Sequence, residues 1–154
     1  DFHTRGARAD EAIDIMREVW THDPASFHGR HYEFDDIRVL PQPAHPIPIW
    51  IGGGSQKAYD RAARRGDGFQ GLSTAPADLA TIVAVLRAER PGDDFTISYR
   101  TGWDPQGMDP GLIREERAAY ADAGVQHVVS APWRTNADDW IRSMEMLVDI
   151  VQPG

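Results

Sequence analysis

Three consecutive glycines and a serine, Gly52, Gly53, Gly54 and Ser55, follow a short apolar run and precede a helical pattern. Glycine weakens strands and helices, so three together indicate that the backbone itself approaches something at this point. Backbone N–H groups that converge at the start of a helix favour an anion such as phosphate. The alternative is a tight strand-to-helix turn with Ser55 as N-cap, and the residues alone do not decide between the two.

Other sites of chemistry have weaker support in the sequence. The glycine segment fits neither the dinucleotide fingerprint nor the nucleophile elbow, because Lys57 stands where each needs a glycine, and it lacks the lysine-serine pair of a P-loop. Four histidines crowd one irregular segment: His22, His28, His31 and His45. No cysteine joins them and the stretch looks extended, so we expect surface polar residues and no metal site.

The elements that position these residues follow from hydrophobic periodicity. A helix is predicted over Ala9 to Trp20, followed by an irregular segment, residues 25–46, with a short hairpin. Four strand-helix units then follow. Their strands are predicted at residues 47–51, 67–72, 95–103 and 125–133. The first helix is predicted from Gln56 to Arg65, and the second begins near Ala75. The third begins at Pro110 with Asp109 as N-cap, and Asn136 caps the fourth. Such repetition predicts an α/β fold with parallel strands, as a doubly wound sheet or part of a barrel.

Composition narrows the class of protein. The 154 residues are 41% apolar, which is typical of a folded domain, and the net charge of -8 argues against a nucleic acid partner. The chain has no cysteine, and no apolar stretch approaches the length of a membrane span. We therefore expect a soluble protein of the cytoplasm, with no membrane partner. Because the chain begins at Asp1 without a methionine, we also expect it to be a piece of a longer protein.

Several segments follow one another in a fixed order. They are the helix with Arg5, Arg8, Glu11 and Trp20, then "SFHGRHYEF", "LPQPAHPIPIWIGGGS" and "AARRGDGF". Together they resemble the luciferase-like monooxygenase superfamily, and most closely its branch that depends on the deazaflavin coenzyme F420. The resemblance implies a TIM (β/α)8 barrel, of which residues 1–154 would form one partial domain in the carboxy-terminal half. That domain would comprise the helix of unit four and units five to eight.

The resemblance also implies an activity and a cofactor site. It implies hydride transfer between coenzyme F420 and a small organic substrate, with an FMN-dependent monooxygenase or a non-catalytic phosphate-binding fragment as alternatives. In the first case Gly52, Gly53, Gly54 and Ser55 would hold the cofactor phosphate. The next loop, with Leu72, Ser73 and Thr74, would form a second wall, and Lys57 or Arg134 would add charge. No catalytic residue is assigned, since the family's usual ones lie in the other half of the barrel.

Aromatic residues and sheet edges lead to the remaining expectations. Trp103 and Trp133, at the ends of the third and fourth strands, would wall the cofactor ring or the substrate, or would cap the core. Trp20, Trp50 and Trp140 fall on core-facing patterns. Half a barrel would leave two strand edges unpaired and an apolar inner face uncovered. We therefore expect a homodimer, or pairing with the missing amino-terminal half.

Overall fold

In the computed structural model, which describes residues 2–152, the longest helix stands first. Helix α1 (Arg5–Thr21) follows a 3-10 turn (Phe2–Thr4) and begins four residues before the predicted start. Strands β1 (Ala25–His28) and β2 (Glu33–Ile37) pair antiparallel, which confirms the predicted hairpin. These elements belong to a compact unit of residues 2–49, and residues 50–152 form a second unit. The assignment of the whole chain to one partial-barrel domain stays a prediction.

The hairpin turn of the first unit is held by a single carboxylate from α1. Glu11 accepts hydrogen bonds from three consecutive backbone N–H groups, those of Arg30 (2.9 Å), His31 (2.8 Å) and Tyr32 (3.0 Å). Desolvation would raise the pKa of Glu11, but these backbone hydrogen bonds outweigh it, and the pKa is lowered. A Cβ on Gly29 would lie 2.5 Å from the Glu11 Oε2 atom, so a larger residue there would displace the Glu11 carboxylate from the turn.

The second unit is a four-stranded parallel sheet with a helix after each strand. Its strands are β3 (Trp50–Gly52), β4 (Gly68–Leu72), β5 (Thr96–Thr101) and β6 (His127–Ser130). Its helices are α2 (Gln56–Arg65), α3 (Pro76–Glu89), α4 (Pro110–Asp122) and α5 (Ala137–Val151). The strands lie in chain order, β3-β4-β5-β6. A doubly wound sheet reverses its order at a switch point, so this order favours the barrel over its alternative.

One hydrophobic core fills the space between this sheet and its helices. Phe69 and Ile97, paired in register on β4 and β5, are buried in it with Leu79 of α3 and Ile113 of α4. The opposite face of the sheet is mixed in character, which corrects the expectation of an apolar inner face. There Ser98 Oγ lies 3.0 Å from His127 Nδ1. Gln70 of β4 and Arg100 of β5 lie on this face as well, beside the apolar side chains of Leu72 and Val129.

Local signals set most element boundaries. The Asp109 side chain accepts from the Gly111 N–H (2.6 Å), and the Asn136 side chain accepts from the Asp138 N–H (2.8 Å), so both predicted caps are confirmed. Strand β3 begins at Trp50 instead of residue 47. Pro48 carries no N–H for a strand ladder, which explains the late start.

The apolar stripe of α5 is only partly buried. Leu147 and Ile150 reach the core, but Trp140 is 41% exposed, so its assignment to the core is wrong. Helix α5 packs against α4.

Within residues 2–152, none of the helices combines the length and the apolar character that crossing a bilayer requires.

Candidate functional site

Both loops proposed from the sequence lie at the carboxyl ends of neighbouring strands. Gly52 to Ser55 follow β3, and Leu72 to Thr74 follow β4. These strands are parallel, with Gly52 opposite Gln70, so the two loops emerge at one edge of the sheet. In parallel α/β proteins this edge is where ligands bind.

The glycine loop has the backbone that its sequence demands. Gly53 has φ +138°, and a Cβ there would lie 2.8 Å from the Ala58 Cβ, so a larger residue is excluded. A Cβ on Gly54 would meet nothing within 4 Å. The Ser55 side chain accepts from the Ala58 N–H, so Ser55 is the N-cap that the alternative interpretation of this loop expects.

The loop also offers donors to an anion. The N–H groups of Gly54 and Ser55 have no acceptor among residues 2–152, and both residues are exposed at the start of α2. Free amides beside the positive end of a helix dipole fit a phosphate group. Lys57 is exposed in the first turn of the same helix. The role of Gly52, Gly53, Gly54 and Ser55 in holding phosphate stays a prediction.

Two tyrosines fix the second loop. The Tyr99 hydroxyl donates to the Thr74 carbonyl and accepts from the Thr74 N–H, and the Tyr120 hydroxyl donates to the same carbonyl at 3.2 Å. Their rings stack with centroids 4.3 Å apart. Burial, with the neighbouring Tyr99, raises the pKa of Tyr120, so the phenol stays protonated and keeps donating. Ser73, at φ +56°, is thereby held in a left-handed turn.

A cavity of about 600 Å³ opens beside this loop, at the carboxyl ends of β4 and β5. Its walls include Leu72, Ser73, Arg100, Thr101, Trp103 and Glu116. Trp103 is buried and its indole Nε1 donates to Glu116 Oε2 at 2.7 Å. The cavity therefore carries a carboxylate held against an aromatic wall, a combination suited to a polar organic ligand.

The rim of the cavity is aromatic and basic. Trp133 is 79% exposed, and the Arg100 guanidinium carbon lies 5.5 Å from the centroid of its ring. Thus both tryptophans singled out in the sequence reach the cavity, one as a buried wall and the other as an exposed rim. Leu72 and Ser73 also line the cavity, whereas the glycine loop lies outside the lining.

Arg134, which the sequence suggested as a positive charge for the cofactor phosphate, is paired with a carboxylate instead. Its guanidinium lies 2.6 Å from a carboxylate oxygen of Asp104, and the Ser143 hydroxyl donates to the other oxygen at 2.8 Å. Desolvation would raise the pKa of Asp104, but the hydrogen bonds from Ser143, the Gln106 N–H and Arg134 outweigh it, and the pKa is lowered. Arg134 therefore anchors the loop after β6.

The histidine-rich segment shows pairing at the surface. His28 Nε2 lies 3.0 Å from Asp35 Oδ1, and both side chains are exposed. In the part of the chain that the structure describes, no three His, Asp or Glu side chains are grouped so as to hold a metal ion.

Sequence reasoning missed Tyr99, Tyr120, Thr101 and Glu116. Tyr99 and Thr101 lie on β5, and Tyr120 lies near the end of α4; the patterns of both elements show burial but not partners. Glu116 lies on a helix with several exposed charged residues, and nothing local separates it from them.

Comparison with known proteins agrees with these observations. Residues 1–102 match the model of the luciferase-like monooxygenase family. An F420-dependent glucose-6-phosphate dehydrogenase from Gordonia bronchialis is 35% identical over 130 residues, which cover 79% of this chain and 38% of the relative. The corresponding enzyme from Segniliparus rotundus is 33% identical over 109 residues, 71% of this chain and 31% of the relative. The chain thus spans about a third of the length of these relatives.

A solved structure shows the same fold. An F420-dependent secondary alcohol dehydrogenase, in complex with an F420-acetone adduct, superimposes on 97% of this chain and 62% of its own, with a TM-score of 0.76 and 16% identity. At that identity the likeness concerns the fold alone. The family match covers about two thirds of the sequence, including the hairpin and the glycine loop. This chain therefore belongs to the luciferase-like monooxygenase family.

Proposed function

We propose that this chain is part of a deazaflavin-dependent oxidoreductase, in which Gly52 to Ser55 hold the cofactor phosphate. The observation that carries the proposal is the open loop at the start of α2, with free N–H groups on Gly54 and Ser55. Family membership supports it, and so do the names of the relatives, which specify F420.

In this proposal the chain's own residues bind and orient. The glycine amides and the dipole of α2 bind the phosphate, and Lys57 adds a positive charge from the first turn. The loop of Leu72, Ser73 and Thr74, held by two tyrosine hydroxyls, forms a rigid wall. When bound, the deazaflavin supplies the hydride chemistry. The cavity beside that wall takes the organic substrate.

FMN is the alternative cofactor. A glycine loop binds the phosphate of either molecule, so its geometry does not distinguish a deazaflavin oxidoreductase from an FMN-dependent monooxygenase. The names of the relatives favour F420. Because the chain spans a third of the length of these relatives, we expect the isolated chain to bind cofactor without turnover. A non-catalytic fragment, the other alternative, would bind phosphate ligands only weakly.

We propose that the protein is located in the cytoplasm, since a chain without cysteine has no need of an oxidising compartment in which disulfides form.

Fluorescence polarisation of coenzyme F420 tests the proposal, with two variants at one position. Gly54→Asp places a negative charge at the amides, whereas Gly54→Ala adds a methyl group in open space. We expect the first to weaken binding at least about tenfold and the second to weaken it much less. The acidic residue lies next to a helix start, where it favours folding, so a loss of binding will not come from unfolding. Equal affinity of both variants would place the phosphate elsewhere, and tighter binding of FMN than of F420 would favour the alternative cofactor.

A further inference from the structure

The α4–α5 groove lies between these two helices and β6, on the side of the sheet that the helices cover. It has a volume of about 210 Å³, and its walls include Trp103, Val128, Met144, Leu147 and Val148. Trp103 and Leu147 are buried and form its inner end, whereas Val148 is 48% exposed and lies where the groove opens to solvent. An apolar protein cavity of about 150 Å³ is large enough to hold benzene, so this groove has room for one ring with a short substituent.

The inner end of the groove offers carbon surface to a ligand. Ser130, the polar residue that β6 contributes to the wall, donates its hydroxyl to the Trp103 carbonyl at 3.4 Å. The Trp103 indole N–H is bonded to Glu116, which does not line the groove. Because these polar groups already have partners, a bound molecule has to present an apolar body to this end of the groove.

The charge of the groove comes from one side chain, Arg117 of α4. Arg117 is exposed, and it has no hydrogen-bond or ion-pair partner among the residues that the structure describes. No acidic residue stands three or four positions from it on α4, where a helical ion pair would form. A guanidinium without a partner beside apolar walls favours a carboxylate, which it can bind through two parallel hydrogen bonds.

We propose that the α4–α5 groove binds a compact organic monocarboxylate. Its ring packs against Trp103, Met144 and Val148, and its carboxylate binds Arg117. This site is separate from the proposed cofactor and substrate sites, and its existence does not depend on the proposed function. The two cavities share the Trp103 side chain, so an occupant of the groove contacts the residue whose indole N–H holds Glu116.

Methionine methyl signals distinguish the groove from the larger cavity. Of the four methionines in the chain, Met144 lines the groove and Met108 lines the cavity at the carboxyl ends of β4 and β5. The whole chain is labelled with carbon-13 at these methyl groups and titrated with benzoate in the absence of cofactor. We expect the Met144 signal, assigned by its loss in Met144→Leu, to shift with millimolar affinity while the Met108 signal stays in place. A Met144 signal that does not move at about 100 mM benzoate, or a Met108 signal that moves instead, would overturn the proposal.

Benzamide and two arginine variants test the charge. Benzamide has the shape of benzoate without its negative charge, so we expect it to bind at least about fivefold more weakly. Arg117→Gln should lower the affinity for benzoate to that for benzamide. The matched control is Arg114→Gln, at an exposed position of the same helix outside the groove, which should keep the parent affinity. Because both arginines are exposed, the melting temperatures should stay close to that of the parent. Equal affinity for the two ligands, or unchanged benzoate binding in Arg117→Gln, would contradict the proposal.

Discussion

The Trp103 indole N–H and the Glu116 carboxylate are joined by a 2.7 Å hydrogen bond that links the loop after β5 to the middle of α4. Trp103 is buried, whereas Trp133 on the same cavity is exposed. We expect Trp103→Phe to lower the free energy of unfolding by about 2–3 kcal/mol, since it removes a hydrogen bond to a charged group and leaves a small void. Trp133→Phe should change it by less than about 0.5 kcal/mol. Urea denaturation measures both, and equal losses would show that the bond does not hold the wall.

Gly53 and Gly54 should respond differently to the same substitution. Gly53→Ala forces a side chain into φ +138° and toward Ala58, so we expect a loss of about 1–3 kcal/mol in stability. Gly54→Ala meets open space and should cost less than about 1 kcal/mol. Melting temperatures of the two variants check this, and a stable Gly53→Ala protein would refute the described turn.

Acid should loosen the hairpin of the first unit through Glu11. The pKa of Glu11 is lowered in the folded chain, so its contribution is present above the ordinary glutamate pKa and is lost as pH falls below it. Amide hydrogen exchange at Arg30 and His31 should therefore accelerate in acid relative to the intrinsic rate. In Glu11→Gln the two amides should be less protected at neutral pH, with a weaker pH dependence. Glu33→Gln, on an exposed residue of β2, is the control and should keep the parent profile.

Alkali should act on the second loop through Tyr120. Its pKa is raised in the folded chain, so stability is complete below the ordinary tyrosine pKa of about 10 and declines as pH rises above it. Tyr120→Phe should be less stable at neutral pH, because it loses the bond to Thr74, and should lose less of its remaining stability in alkali. Circular dichroism followed from pH 8 to about 12 measures both effects. An identical alkaline decline in the parent and the variant would contradict this role.

Unpaired edges predict association. Within residues 2–152, β3 pairs only with β4, and β6 only with β5, so each leaves one edge open. Open parallel edges attract another chain, and Leu72, 61% exposed at the carboxyl end of β4, adds apolar surface. We expect the chain to form a homodimer or to associate with the other half of the barrel. Sedimentation equilibrium measures this. A monomer at micromolar concentration without a second polypeptide would contradict it.

Local sequence signals predicted the helices and strands around the site better than the contacts between its side chains. The bounds of α2, the caps Ser55, Asp109 and Asn136, and the chain of strand-helix units follow from short-range patterns, and the structure confirms them. The Thr74 contact with Tyr120 joins residues 46 apart, and no local pattern contains it. The mixed inner face was missed for a related reason, since alternation shows which residues share a face but not how polar neighbours pair across strands.

The glycine loop is the proposed phosphate site, and its amide signals give the most direct test of that role. In a titration of the nitrogen-15 labelled chain with coenzyme F420, we expect the signals of Gly53, Gly54 and Ser55 to shift together, and to shift less in Gly54→Asp. Inorganic phosphate should move the same signals more weakly, since it lacks the rest of the cofactor. If these signals stay in place at millimolar F420 while others move, the cofactor phosphate does not bind at the start of α2, and the proposed site is wrong.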